Sequence, residues 1–146
     1  MTCIVQQLLL APKKPDDSQR HKIFRTRCTI RNKVCNVIID SDSSENVVSK
    51  ALVNALNLKT KKHPSPYKIA WIKKGQEVQV LEVCKVPLSI RKYYKNKILC
   101  DVVDMDACII LLGRSWHYDV DATYKGRDNT FVFWWFDKKI VLMPQS

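Results

Sequence analysis

The sequence is short of glycine, with only three among 146 residues, and it has no long hydrophobic run. The longest apolar run near its start, Leu8 to Ala11, is far too short to span a bilayer. No charged region followed by an apolar stretch and a cleavage site precedes that run, so no secretion signal is recognisable. We therefore expect a soluble, cytoplasmic protein without a membrane partner.

The six cysteines lie far apart, and none of them forms a CxxC pair or has a histidine at zinc-ligand spacing. Five of them fall within apolar, strand-like segments, where a free cysteine behaves as a small hydrophobic residue. We therefore predict reduced thiols in an intracellular, reducing compartment, with no metal site and no cofactor. A disulfide framework is the alternative interpretation.

Acidic residues are also scarce: 25 Lys and Arg face 14 Asp and Glu, which gives a net charge of +11. Such an excess favours acidic partners, of which nucleic acid is one. Basic residues cluster at Lys59, Lys61 and Lys62, and they interleave with tyrosine in RKYYKNK, residues 91–97. Solvated turns are the commoner explanation of such segments, so a nucleic-acid-binding module is kept as an alternative function.

The length suits one domain that can bury a core, and 46% of the residues are apolar. We assign residues 1–22 to an N-terminal extended segment and linker, and residues 23–146 to the domain. Short apolar segments separated by turns predict a mainly β fold with a closed or barrel-like sheet. One helix is predicted from Asn46, with Ser43 or Ser44 as its cap, and a helical turn at Arg114 to Tyr118.

The stretch IIDSDSSENVVS, residues 38–49, combines an apolar strand end with an aspartate. A carboxylate in that position costs free energy unless it is paired, hydrogen-bonded or used in chemistry. The simplest explanation of Asp40 is a turn in which Asp and Ser side chains bond the local backbone.

The same stretch resembles the active-site loop of retropepsin-like aspartic proteases. The segments PYKIAWIKKGQEVQV, VPLSI, CDVVDMDACIILLGRSW and TFVFWWFDKKIVL resemble the protease segment of plant gypsy-type LTR retrotransposon polyproteins. The resemblance implies a retropepsin-like acid-protease barrel with one or two short helices and one lobe per chain.

The activity that the resemblance implies is peptide hydrolysis by a water held between two aspartates that share one proton. Because the chain offers one such loop, it implies a homodimer in which each subunit contributes Asp40, acting on a peptide or polyprotein substrate. Ser41 would support the aspartate across the dimer axis. A flap would cover the substrate with Trp71, Ile72 and Gly75, and Leu111, Leu112 and Gly113 would support the catalytic loop.

The chain departs from the family pattern in this loop, whose altered part is Asp42 and Ser43. The family has glycine where this sequence has Asp42, and two further carboxylates beside the pair would increase repulsion. We therefore predict impaired or absent activity, with a catalytically inactive dimerisation or binding domain as the alternative. Ser115 replaces a usual proline, which we expect to matter less.

Other polar residues receive simpler interpretations. We expect the histidines to lie at the surface, and the aspartates of residues 101–106 to face a turn. GRSWH, residues 113–117, superficially resembles a hydrolase nucleophile elbow, but it lacks the final glycine. The aromatic residues around Trp134 and Trp135 are expected in the core or the dimer interface. These histidines and aspartates are His21, His63 and His117, and Asp101, Asp104 and Asp106.

Overall fold

The computed structural model describes residues 23–71 and 76–145. Ten strands and two short helices account for most of this part of the chain, which confirms the predicted mainly β fold. The predicted segment 1–22 lies outside the described residues. The elements are β1 (Ile23–Ile30), β2 (Lys33–Asp40), β3 (Val47–Ser49), α1 (Lys50–Ala55), β4 (Thr60–Trp71), β5 (Gln76–Ile90), β6 (Tyr94–Val103), β7 (Ile109–Leu112), α2 (Arg114–Val120), β8 (Thr123–Lys125), β9 (Thr130–Trp135) and β10 (Lys138–Leu142).

Seven strands form one sheet in the order β1-β2-β7-β3-β6-β5-β4. The end of β1 also pairs with β5, through Thr29 with Ser89 and Ile30 with Leu88, so the sheet curves back on itself. Strands β8, β9 and β10 form a second, antiparallel sheet. Neither helix of the described residues is long and apolar enough to cross a membrane.

Strand β7 lies between β2 and β3, and this placement determines the path of the chain after Asp40. Strand β7 is parallel to β2 and antiparallel to β3. The chain must therefore cross the carboxyl end of β7 as it passes from β2 to β3. We call this crossing segment, residues 41–46, the site loop.

The core consists of two apolar clusters, and strand β2 contributes to both of them. Val37 and Ile39 belong to the larger cluster, whereas Ile38 belongs to the smaller one. Successive side chains of a strand point to opposite faces, so a strand covered on both sides needs an almost continuous apolar sequence. The run before Asp40 has this pattern because β2 is buried on both faces.

The first helix starts later than the sequence pattern predicts. Val47 and Val48 are part of strand β3, and α1 begins at Lys50 with Ser49 as its cap. The Ser49 hydroxyl accepts a hydrogen bond from the Leu52 N–H at 3.2 Å. Pairing of β3 with both β6 and β7 overrides the helical spacing of the two valines.

The scarcity of glycine leaves left-handed turns to other residues. The β1–β2 hairpin turns through Arg31 and Asn32, whose φ angles are 51° and 66°. Two positive φ angles match the twist of a two-residue hairpin, and asparagine tolerates them better than most residues. Of the β9 aromatics, for which the core or the dimer interface is predicted, Phe131 and Phe133 lie in the core and Trp134 is 62% exposed.

Candidate active site

Asp40 is the last residue of β2, and its side chain is buried, with the residue only 2% exposed. Its Oδ1 accepts a hydrogen bond from the backbone N–H of Asp42 at 3.0 Å, and its carbonyl accepts one from the Ser43 N–H at 3.2 Å. The simple turn interpretation of Asp40 is therefore correct as geometry. Such a turn also holds the carboxyl in one orientation, so it is compatible with a chemical role.

The next three residues differ in exposure. Ser41 is partly exposed, Asp42 is exposed, and Ser43 is buried with its hydroxyl donating to the Glu45 carbonyl at 3.1 Å. Asp42 is not among the described non-glycine residues with positive φ. Within a single chain, neither backbone conformation nor lack of space requires glycine at position 42, so the argument for glycine there depends on a dimer.

Gly113 lies directly beneath the site loop, at the carboxyl end of β7. A Cβ atom on Gly113 would lie 2.4 Å from the carbonyl oxygen of Glu45 and 2.6 Å from that of Ser43. The backbone N–H of Arg114 donates to the Ser43 carbonyl at 2.8 Å, which ties the start of α2 to the loop. Glycine therefore permits a backbone-to-backbone approach that no other residue could make unchanged.

The residues before Gly113 connect the two strands that flank the loop. Leu112 pairs with Ile39, the residue before Asp40, and Leu111 lies between Ile38 and Val47. Both leucines are buried, at 0% and 1% exposure. The structure therefore brings Leu111, Leu112 and Gly113 next to the loop that carries Asp40.

Sequence reasoning missed the role of Asn46, which joins the site loop to β6 and to the start of α2. Its Oδ1 accepts hydrogen bonds from the backbone N–H groups of Gly113 at 2.9 Å and Trp116 at 3.2 Å. Its Nδ2 donates to the Leu99 carbonyl at 3.3 Å. The sequence contains no signal for this role, because Asn46 directly follows the polar run Ser41 to Glu45, and only the fold shows that it is buried with backbone partners.

Ser115 takes part in the same connection, on the other side of the loop. Its N–H and its hydroxyl both donate to the Ser44 carbonyl, each at 3.2 Å. A proline at this position would lack the N–H donor. The Ser115 hydroxyl therefore bonds the backbone of the site loop. His117 bonds the Gly113 carbonyl at 2.7 Å and does not bond the Ser115 side chain.

Asp101, His63 and Tyr67 form a nearly buried cluster, so the predictions of a turn face for Asp101 and a surface position for His63 were wrong. Asp101 lies within β6, where its Oδ1 is 3.0 Å from His63 Nε2 and its Oδ2 accepts from the Tyr67 hydroxyl. The side chains of His63 and Asp101 are 12% and 11% exposed. His63 and Tyr67 lie in β4, 38 and 34 residues before Asp101, and the pairing of β4 with β5 and of β5 with β6 brings them to it.

The contacts of the cluster determine the tautomer of His63 and keep the Tyr67 phenol neutral. His63 Nδ1 accepts a hydrogen bond from the Ser65 N–H at 2.9 Å, so its Nε2 carries the proton that faces Asp101. Burial, together with the hydrogen bond to Asp101, raises the pKa of Tyr67. The phenol therefore stays neutral and donates, which links the arm of the β4–β5 hairpin to the strand beside the site loop.

The residues predicted for a flap lie at the end of the β4–β5 hairpin. Trp71 pairs with Gln76 as the last described pair of β4 and β5. Ile72 and Gly75 lie outside the described residues. The prediction of a hairpin at this position therefore agrees with the strand pairing as far as Trp71.

The aromatic residues of RKYYKNK do not form a surface for stacking on bases. Tyr94 is 0% exposed and accepts a hydrogen bond from the Trp116 indole at 2.9 Å. Only Tyr93 is exposed, and Lys138 lies 5.0 Å above its ring. This segment therefore gives little support to the nucleic-acid alternative.

Comparison with known proteins identifies the family. Residues 36–137 match the model of the PEG10/RTL1 protease domain, a match that covers the site loop and most of the chain. The chain belongs to this family. As a PEG10/RTL1-type protease domain it is a retropepsin-like domain, and its family is that of aspartic proteases.

One of the similar solved structures agrees with the fold of this PEG10/RTL1-type domain. The retroviral protease-like domain of Ddi1 from Leishmania major superposes with a TM-score of 0.59 at 11% identity, over 84% of this chain and 95% of that one. EIAV protease in an inhibitor complex gives 0.48 at 25% identity, over 70% and 91%. A retropepsin-like aspartic protease from Rickettsia conorii gives 0.45 at 18%, over 82% and 81%. No curated protein matches the sequence.

Proposed function

We propose that this domain is the aspartic endopeptidase of an LTR retrotransposon polyprotein, of the gypsy type that its segments resemble, and that it acts as a homodimer. The observation that supports this best is the position of Asp40 at the end of β2, in a chain that belongs to a family of protease domains. Asp40 ends a doubly covered strand, directly before the site loop, which Gly113 and Arg114 hold in place.

In the proposed dimer, the two Asp40 carboxyls share one proton and hold a water between them. One carboxylate takes a proton from the water as it attacks the peptide carbonyl, and the other carboxyl donates a proton. Like charges at such short range cannot both ionise cheaply, which separates the two roles. Because Asp40 is 2% exposed in the single chain, the proposal also requires that assembly opens a path for substrate.

The remaining predicted residues have supporting roles in this proposal. Ser41 would bond across the dimer axis, and Leu111, Leu112 and Gly113 would keep the site loop in place. The β4–β5 hairpin, with Trp71, Ile72 and Gly75, would close over a peptide from the polyprotein. The pairing of Trp71 with Gln76 supports a hairpin of this kind.

Asp42 favours a second candidate, a dimerisation or binding domain that has kept the fold and lost the activity. Its carboxylate is exposed, and its backbone N–H already bonds the Asp40 side chain. In a dimer two such carboxylates would lie near the Asp40 pair, where added negative charge raises the pKa of carboxyl groups. We therefore propose a strongly reduced activity in the natural sequence.

We also propose an intracellular, reducing location. Cys28 lies directly opposite Cys35, and Cys84 directly opposite Cys100, on neighbouring antiparallel strands. All four are buried and free. Thiols so close to one another persist where the surroundings are reducing.

The test compares the natural chain, Asp42→Gly and Asp40→Asn in cleavage of a mixed peptide library between about pH 4 and pH 7. We expect Asp42→Gly to cleave at least about tenfold faster than the natural chain, and Asp40→Asn to be silent. Light scattering on the same samples measures dimer formation. Silence of Asp42→Gly in a folded dimer would overturn the peptidase proposal in favour of the inactive domain, and activity unaffected by Asp40→Asn would refute both.

A further inference from the structure

Five basic side chains surround an open groove of about 380 Å³ on the outer face of strands β4, β5 and β6. Its floor is aliphatic, formed by Leu58, Val83, Pro87 and Leu99. We call this feature the basic groove. None of the described residues that line it is acidic. Its basic residues are Arg31, Lys59, Lys61, Lys85 and Lys97.

Strand pairing assembles the groove from segments that are distant in sequence. Lys61 pairs with Val83, Lys85 with Leu99, and Pro87 with Lys97. Cys84 and Val86, which alternate with these β5 residues, are buried in the core. Lysines from both basic clusters of the sequence, Lys59 and Lys61 from one and Lys97 from the other, therefore meet on one outward face, away from the core.

A second cavity extends the groove along strands β5 and β6. It has a volume of about 580 Å³, shares Pro87 and Lys97 with the first, and adds Ser89 and Lys95 to the lining. Two adjoining cavities with shared walls form an elongated surface. This shape suits an extended chain segment better than a compact small molecule.

The chemistry of the lining distinguishes between classes of acidic partner. Leu99 is 55% exposed between the basic side chains, so the groove offers apolar surface as well as positive charge. Single-stranded nucleic acid is held by phosphate contacts and by stacking on aromatic side chains, and none of the described residues that line either cavity is aromatic. A peptide with carboxylates around an aliphatic or aromatic residue satisfies both the cations and the apolar floor.

One cation of the groove is held in place by the fold. The Arg31 guanidinium donates to the carbonyls of Leu56 and Asn57, at 3.3 and 3.4 Å, at the end of α1. The lysines, by contrast, are exposed, Lys59 just before β4 and the others within strands. Several flexible ammonium groups around a fixed apolar floor favour binding that depends on total charge and weakens with salt.

We propose that the basic groove is a docking site for an acidic peptide segment with an apolar anchor residue. The anchor packs on Val83, Pro87 and Leu99, and the flanking carboxylates pair with Lys85 and Lys97. The groove borders the site loop, since the Leu99 carbonyl bonds Asn46, but none of its described lining residues belongs to that loop, and docking does not depend on whether the domain cleaves peptides.

The test measures fluorescence anisotropy of a labelled peptide, Glu-Glu-Leu-Glu-Glu-Leu-Glu-Glu, with the full chain. A peptide with both leucines replaced by serine tests the floor, and a single-stranded RNA of equal charge tests the other partner class. Lys85→Glu with Lys97→Glu tests the rim. Lys125→Glu with Lys139→Glu, exposed on the second sheet, is a control with the same change of net charge.

We expect the serine peptide and the Lys85→Glu, Lys97→Glu variant each to bind at least about tenfold more weakly, and the control variant to bind the leucine peptide as the natural chain does. Circular dichroism confirms that each variant is folded. Equal losses in the two double variants would show attraction by net charge alone and overturn the proposal. Tighter binding of the RNA than of the peptide, or no binding of the peptide, would also overturn it.

Discussion

The backbone N–H of Asp42 donates to Oδ1 of Asp40 at 3.0 Å, so the residue that departs from the family pattern also orients the proposed catalytic residue. Glycine carries the same N–H and would keep this bond. Since the Asp42 side chain is exposed, we expect Asp42→Gly to change the free energy of unfolding by no more than about 1 kcal/mol. Urea denaturation checks this, and a loss above about 2 kcal/mol would contradict it. A small change would mean that any gain in activity reflects the site rather than folding.

Gly113 should tolerate no side chain, because its Cβ would meet two backbone carbonyls of the site loop. We expect Gly113→Ala to lower the free energy of unfolding by about 1–3 kcal/mol. Gly126→Ala is the matched control, because the nearest atom to its Cβ would be a Tyr124 ring carbon at 3.7 Å. Thermal denaturation of both variants checks the contrast. Equal melting temperatures would show that the loop yields to the added methyl group.

Asn46→Ala should destabilise the domain more than removal of an exposed amide. It would leave the N–H groups of Gly113 and Trp116 without an acceptor in a buried position, at about 1–3 kcal/mol for each group. Asn54→Ala, on the exposed face of α1, is the control and should be neutral or slightly stabilising. Urea denaturation of both variants measures the difference, and similar midpoints would argue against this role of Asn46.

Tyr67 should make stability fall at alkaline pH. Burial and the Asp101 hydrogen bond raise the pKa of Tyr67 in the folded chain above its unfolded value of about 10. Its contribution is therefore complete below about pH 10 and decreases as the pH rises through the folded pKa, by up to about 1.4 kcal/mol per pH unit. Tyr67→Phe should be less stable at neutral pH and show a shallower decline above pH 10.

The exposed Tyr118, at 86% exposure, supplies the control for this titration. The stability of Tyr118→Phe should decline with pH as that of the natural chain does. The buried cysteines are unchanged in both proteins, so they contribute equally to the decline. Stability curves for the three proteins, measured by denaturant unfolding across the alkaline range, decide the matter. A decline in Tyr67→Phe as steep as that of the natural chain would refute the assignment to Tyr67.

Cys108 should be the reactive thiol of the described domain. It is exposed, whereas the other four described cysteines are buried and burial raises their pKa, most clearly for Cys28 and Cys100. In a Cys3→Ser background we expect iodoacetamide to modify the folded chain once. Mass spectrometry counts the adducts, and Cys108→Ser should remove the fast one. Rapid modification of Cys28 or Cys100 in the folded state would contradict the buried assignment.

Much of the fold could be predicted from the sequence because its signals are local. The apolar run before Asp40 indicated the end of a strand, and turn residues separated the other strands. The helix start was misplaced because the spacing of Val47 and Val48 fits both a helix and a doubly paired strand. Only their partners in β6 and β7 distinguish the two structures.

The residues of the candidate site also divide into those that a local motif identifies and those whose partners are distant in sequence. Asp40, Ser41 and Asp42 are adjacent in sequence, so a motif could identify them together. The partners of Asn46 lie 53, 67 and 70 residues away, and those of Asp101 lie 38 and 34 residues away. No local sequence pattern indicates hydrogen-bond partners that are so distant in the chain.

The sequence by itself determined the strand that ends at Asp40, the loop chemistry that follows it, and the excess of positive charge. Only the tertiary structure decided that Gly113 must lack a side chain, that Asn46 holds the loop, that His63 and Asp101 are paired, and that lysines from two segments border one groove. The physical reason is that these properties depend on which strands lie side by side, and strand pairing depends on burial across the whole chain.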